Sequence, residues 1–119
     1  MHKYADYETF LQELETETGY QVYDERTASS GVKTPYIVCQ RINSENFLAD
    51  NTRWLKRDNI QVNLHTFQRV HTSGWEKKKA EIKVESYLEN QGYIFDTDTD
   101  WLENEELFVT TYGVQIWYE

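Results

Sequence analysis

Between residues 49 and 66 the chain reads ADNTRWLKRDNIQVNLHT, and its last part alternates strictly, Ile60, Val62 and Leu64 against Gln61, Asn63 and His65. Period two is the mark of a strand with one buried face and one wet face. Upstream, Thr52, Trp54 and Lys56 alternate with Arg53, Leu55 and Arg57, and Asp58-Asn59 follows, residues whose short side chains bond nearby backbone and tolerate turns. The pattern predicts a hairpin bending near residues 57–59, with Ile60, Val62 and Leu64 as its core-facing half.

Helical spacing appears twice. Across residues 4–17, Tyr7, Phe10, Leu11 and Leu14 fall at i, i+3, i+4 and i+7, with Glu8, Glu13 and Glu15 outside that stripe, and Gly19 stands where a left-handed residue would end the helix. Across residues 75–91, Ala80, Val84, Tyr87 and Leu88 share one face, and Gly92 marks the stop. On that second helix Trp75 and Ile82 lie on nearly the opposite side, where solvent is expected. That position is read either as a lone exposed apolar residue beside a Trp that precedes the helix, or as a subunit contact.

Further strands are predicted at residues 20–27, 35–42, 93–99 and 107–118. Pro35 suits a strand's first residue because it donates no ladder hydrogen bond. Residues 36–42 are apolar on both alternating sets, the pattern of a strand covered on both faces for part of its length. In the last strand the even positions, Phe108, Tyr112, Val114, Ile116 and Tyr118, form the more continuous apolar set and belong on the helix side. Gly113 marks a bulge or a close backbone approach. Residues 28–31, 43–51 and 67–75 read as loops. Runs of adjacent strands favour antiparallel pairing, so the expected fold is α+β, a small, mostly antiparallel β-sheet with two helices packed on one face, in a single domain over residues 1–119.

Composition narrows the partners. Against 12 basic residues stand 21 acidic ones, a formal charge of -9, which opposes nonspecific or specific binding of nucleic acid and repels anionic lipid. Aromatic residues make up 15% of the chain, so much of the burial falls to rings that serve interfaces as well as cores. A single cysteine, Cys39, and an N-terminus without an apolar stretch predict a soluble, intracellular protein with no membrane association.

Candidate chemistry is sparse. Asp96, Asp98 and Asp100 match the first ligand spacing of a calcium loop, but Trp101 and Leu107 stand where that loop needs Gly and a bidentate Glu, so an acidic hairpin loop through Glu103, Glu105 and Glu106 is the expectation. His2, His65, His71 and Cys39 lack zinc spacing, and Cys39 sits mid-strand as a small buried apolar group. Glu76, Glu81, Glu85 and Glu89 interleave with Lys77, Lys78, Lys79 and Lys83 as a solvated helix face. Nothing here argues for an enzyme, a metal or a cofactor.

The segments PYIV at 35–38, ADNTRW at 49–54, NIQVNLHT at 59–66, KKAEIKVESYLENQGY at 78–93 and ENEELFVTTYGVQIWYE at 103–119 together resemble the tail-terminator proteins of long-tailed bacteriophages, also called tail-completion or head-tail joining proteins, particularly those of Gram-positive hosts. The resemblance spans the chain from about Pro35 onward and rests on element order and loose pattern. It implies a small antiparallel sheet flanked by helices, assembled after synthesis in the host cytoplasm into a hexameric ring of the virion neck. Such a ring stops the tail tube and meets the head's connector. The implied partners are other copies of the chain, the tail tube protein and the connector or head-closure protein. A head-closure ring protein of the same neck is the nearest alternative, and an acidic mimic of nucleic acid that inhibits a DNA-binding protein is another.

On this reading the subunit contacts are expected from Arg53, Trp54, Lys56 and Arg57 on the hairpin, Phe67 and Trp75 beside the second loop, Ile82 on the helix, and Asp98 and Asp100 on the acidic loop. Arg53, Trp54, Lys56 and Arg57 form a basic, aromatic projection that would grip the acidic loop of the next subunit.

Overall fold

A computed structural model describes residues 4, 6–24, 33–48, 54–67, 73–103 and 106–118, with the side chains of residues 48, 54 and 73–75 outside that description. The elements run α1 (Tyr7–Thr18), β1 (Gln21–Asp24), β2 (Tyr36–Leu48), β3 (Trp54–Phe67), α2 (Ser73–Asn90), β4 (Ile94–Leu102) and β5 (Leu107–Tyr118). The five strands form one sheet in the order β1-β2-β3-β5-β4. All neighbours pair antiparallel except β1 and β2, which are parallel. The fold is α+β, with both helices on one face of the sheet.

Both helices form where the apolar stripes lie, and their ends have local causes. Asp6 caps α1 by accepting from the Thr9 backbone N–H at 2.8 Å, and this bond holds its carboxyl below the usual range. Gly19, at φ +77°, donates its N–H to the Glu15 carbonyl and ends the helix, as its position indicates. After α2, Gly92 takes φ +75° in the same role.

The core is the layer between helices and sheet. Phe10 and Leu14 from α1, Val84 and Leu88 from α2, and Ile37, Ile60, Val62, Leu64, Tyr112, Val114 and Ile116 from the strands are each 1% exposed or less. Tyr4 and Tyr93 join Phe10 and Tyr87 in ring contacts at the end of this layer. Even positions of β5 face the helices, as alternation predicts.

The principal departure concerns the expected hairpin at residues 57–59. There is no bend there: β3 runs unbroken from Trp54 to Phe67, and residues 43–48, read as a loop, continue β2. The two strands make one long antiparallel ribbon, with a bulge between Arg41 and Asn43 that adds Ile42 to β2. Fourteen residues of β3 extend about 46 Å at strand rise, which accounts for an outline of 57 × 25 × 22 Å.

Smaller corrections follow the same logic. β2 is covered by helices on one face only; on its other face Tyr36 and Val38 are half-buried, while Ile42 stands 53% exposed. The strand expected over residues 93–99 forms and runs on to Leu102, so Asp100, Trp101 and Leu102, placed with the acidic loop, belong to strand β4. β5 begins at Leu107, and Glu106 before it adopts φ +54°. α2 begins at Ser73, so Trp75 lies inside the helix and not before it. The tips at residues 49–53 and 68–72 are outside the described residues.

Candidate interaction surface

The face of the sheet turned away from the helices has no covering layer among the described residues. Alternate residues of every strand meet there, and the middle of the face is held by polar pairs in place of apolar packing. Thr111 Oγ1 donates to Asn63 Oδ1 at 2.9 Å, and Asn63 Nδ2 reaches the Val38 carbonyl at 3.2 Å. The Tyr36 and His65 rings stack with centroids 4.5 Å apart. Cross-strand pairs of this kind stabilise a sheet that faces water.

Toward the outer end of the ribbon the character changes. The Arg57 guanidinium lies 5.2 Å from the Phe47 ring and 5.1 Å from the Trp117 ring, and its Nη2 is 2.6 Å from Glu45 Oε1. Hydrogen bonding to Arg57, more than any other influence, draws the Glu45 carboxyl below its ordinary range, and Asn59 adds a second donor at 2.9 Å. Arg57 Nε is buried with no acceptor among the described residues, so ring stacking and one ion pair hold this cation. Phe47 at 36% and Trp117 at 40% remain substantially exposed.

Between this stack and the β4 edge lies an open trough of about 410 Å³, walled by Ile42 and Asn43 on one side and Asp96 and Asp98 on the other. Its floor passes over Gly113. A Cβ on that residue would sit 2.5 Å from Asp96 Oδ1, which instead accepts the Gly113 N–H at 3.2 Å. The close approach read from Gly113 is therefore made by the Asp96 side chain. Asp96, Asp98 and Asp100 all point to this open face, spaced by about 6.6 Å each along an extended strand. Among the described residues no three His, Cys, Asp or Glu side chains converge as metal ligands.

On the other side of the molecule, α2 sorts its charges by direction. Glu76 accepts from the Phe67 backbone N–H and from Thr34 Oγ1, Glu81 from Thr110 Oγ1 at 2.9 Å, and Glu85 from the Tyr112 hydroxyl at 2.9 Å. These glutamates clamp the helix to the sheet instead of forming a solvated acid-base ladder. Lys77 is used at 2.9 Å from Glu81, and Lys83 lies 5.1 Å from the Tyr20 ring. Lys78, Lys79 and Lys83 are exposed around Ile82, itself 55% exposed.

One buried polar cluster escaped the sequence reading. Asp58, 2% exposed, accepts from the Tyr4 hydroxyl at 2.6 Å, Ser44 Oγ at 2.6 Å and the Tyr118 hydroxyl at 3.1 Å. Burial first, and then the bond to Asp58, push both phenols above the ordinary tyrosine range, so neither supplies or takes a proton near neutrality. Burial, aided by nearby Asp24, likewise raises the Cys39 thiol and leaves it a packing group.

The residues singled out from sequence thus scatter. Arg53 is outside the described residues, and Trp54 is placed only as the first residue of β3, paired with Leu48. Lys56 and Arg57 are neighbours on a strand and so face opposite sides of the sheet. Arg57 pairs with Glu45 and stacks on Phe47 and Trp117 of its own chain. Phe67 ends β3, half-buried, and Trp75 is placed by backbone alone. Ile82 is exposed as read, while Asp98 and Asp100 share the open face on β4 with Asp96. A scan of protein-family models finds no match to the chain, and a search of curated protein sequences finds no significant relative.

Proposed function

We propose that the chain is a structural subunit of a bacteriophage neck, which associates with copies of itself into a ring that ends the tail tube and joins it to the head. The observation that carries the reading is the uncovered sheet face, bearing Ile42, Phe47, Ile94 and Trp117 at 36 to 59% exposure beside a ribbon that lengthens the molecule to 57 Å. Exposed large apolar groups at that density mark surfaces that bury against protein. The aromatic and amide groups there suit a stable contact.

Charge segregation favours assembly over mimicry of nucleic acid. A mimic presents continuous negative charge, whereas here lysines stand outside α2 and aspartates line β4 on the opposite face. The test is sedimentation and electron microscopy of the protein alone and with polymerised tail tube protein. Rings capping tube ends are expected. A protein that neither associates nor binds tube ends would overturn the proposal, as would phage particles lacking it whose tails keep normal length and join heads.

A further inference from the structure

Two exposed surfaces on opposite sides of the molecule complement each other. Outside α2, Lys78, Lys79 and Lys83 surround Ile82, because Glu76, Glu81 and Glu85 are turned inward to the sheet. On the open sheet face, Asp96, Asp98 and Asp100 run along β4 beside the trough that contains Ile42, and no described basic side chain pairs with them. Lys78 and Lys79 likewise lack an acidic partner among the described residues.

The dimensions agree. From β2 to β4 the trough crosses three strand spacings, about 14 Å, which admits a helix of about 10 Å diameter. Its floor at Gly113 has no side chain of its own, and the Asp96 carboxylate lies across it, so the open length of the trough runs along Ile42 and Asn43. Asp96 to Asp100 occupies about 13 Å of strand and Lys78 to Lys83 about 7.5 Å of helix axis, a difference flexible lysine side chains span.

We infer that the outer face of α2 docks into the open-face trough of a second copy of this chain, with Ile82 against Ile42 and the lysines beside the β4 aspartates. The inference deepens the ring reading by naming its contact. Symmetric pairing of β4 on β4 is disfavoured because it opposes aspartates, and the α2 face and the trough are different surfaces on opposite sides of the chain. The docking is therefore head-to-tail, and head-to-tail contacts close into rings or continue as filaments.

Charge exchange tests it. In dilute salt, where surface charges act over distance, the wild-type chain is expected to associate by sedimentation velocity. Lys78→Glu/Lys79→Glu and Asp98→Lys/Asp100→Lys, all at exposed positions, should each weaken association by about tenfold or more while circular dichroism stays unchanged. Mixing the two variants should restore association, because each reversed surface then meets its complement. Should a reversal variant fail to fold, Lys78→Gln/Lys79→Gln serves in its place. Carbodiimide coupling followed by mass spectrometry should join residues 77–83 of one copy to 96–100 of another. A wild-type chain that remains monomeric at millimolar concentration overturns the inference, as do single reversals without effect or a mixture that stays dissociated. Tail length is a separate readout: tails dependent on the protein but indifferent to these reversals remove the docking and leave the neck role, and the converse removes the neck role alone.

Discussion

On the helix-covered face of the sheet, Ile37, Val62, Tyr112 and Val114 are each 1% exposed or less. One residue along the same strands, Val38, Asn63, Thr111 and Gln115 look outward, and two of them are joined by a hydrogen bond instead of packing. The covered face draws stability from apolar area removed from water, the larger contribution, and the open face holds its shape through amide, hydroxyl and ion pairs that leave its edges available. A strand here serves cohesion with one side and contact with the other.

The comparison is broken most severely by alkali. Burial raises Tyr4, Tyr87 and Tyr112, all on the covered side, far above their ordinary value. A raised folded pKa means the native state holds its protons more tightly. Its stabilisation is complete below the unfolded tyrosine pKa near 10 and is lost as pH climbs beyond it. Tyrosinate absorbance should therefore appear together with loss of helical circular dichroism, and phenols titrating in a still-folded protein would contradict the burial. Next in size, Leu14→Ala, at a side chain with no exposure, is expected to cost about 3 kcal/mol in urea unfolding. Asp58→Ala, which strands three hydroxyl donors, should cost about 2 to 3 kcal/mol, with Asp58→Asn milder because it keeps an acceptor.

Open-face changes should be smaller. Arg57→Ala removes an ion pair and two ring contacts at the surface, for about 1 kcal/mol or less. A cost near that of Leu14→Ala would show that the outer ribbon carries the fold. Smallest is Gly113→Ala, below about 1 kcal/mol in thermal unfolding, since the atom its Cβ meets is the swinging end of Asp96.

What could be read from sequence tracks this division. Residues 60–65 and 107–118 declare their faces because a buried neighbour lies on every second position. The same holds for Phe10, Leu14, Val84 and Leu88 on the helices. Asp58 and Asn59 misled because their composition is that of a turn; the donors that make a buried carboxylate tolerable at residue 58 come from residues 4, 44 and 118, far along the chain. The strand at 93–99 reads too short, because an edge strand in water is under little pressure to be apolar and its polar continuation to Leu102 looks like a loop. The parallel pairing of β1 with β2 has no local signature at all, since it depends on the connection between them. In the candidate surface, Ile82 was legible from the helical wheel. The inward turn of Glu76, Glu81 and Glu85, which leaves the lysines outside, depends on Phe67, Thr110 and Tyr112 and could not be seen from the helix alone.

The outer ribbon is unevenly supported along its length. From Asn43 to Asn46, β2 runs beside a stretch of β3 that β5 also pairs, and only Phe47-Leu48 with Trp54-Leu55 run past the described end of β5 as a two-stranded tip. Two-stranded ribbons are the most readily twisted form of sheet. Freedom to twist is thus confined to that short tip, while the stretch behind it is held by β5 and by the bonds from Tyr4, Ser44 and Tyr118 to Asp58.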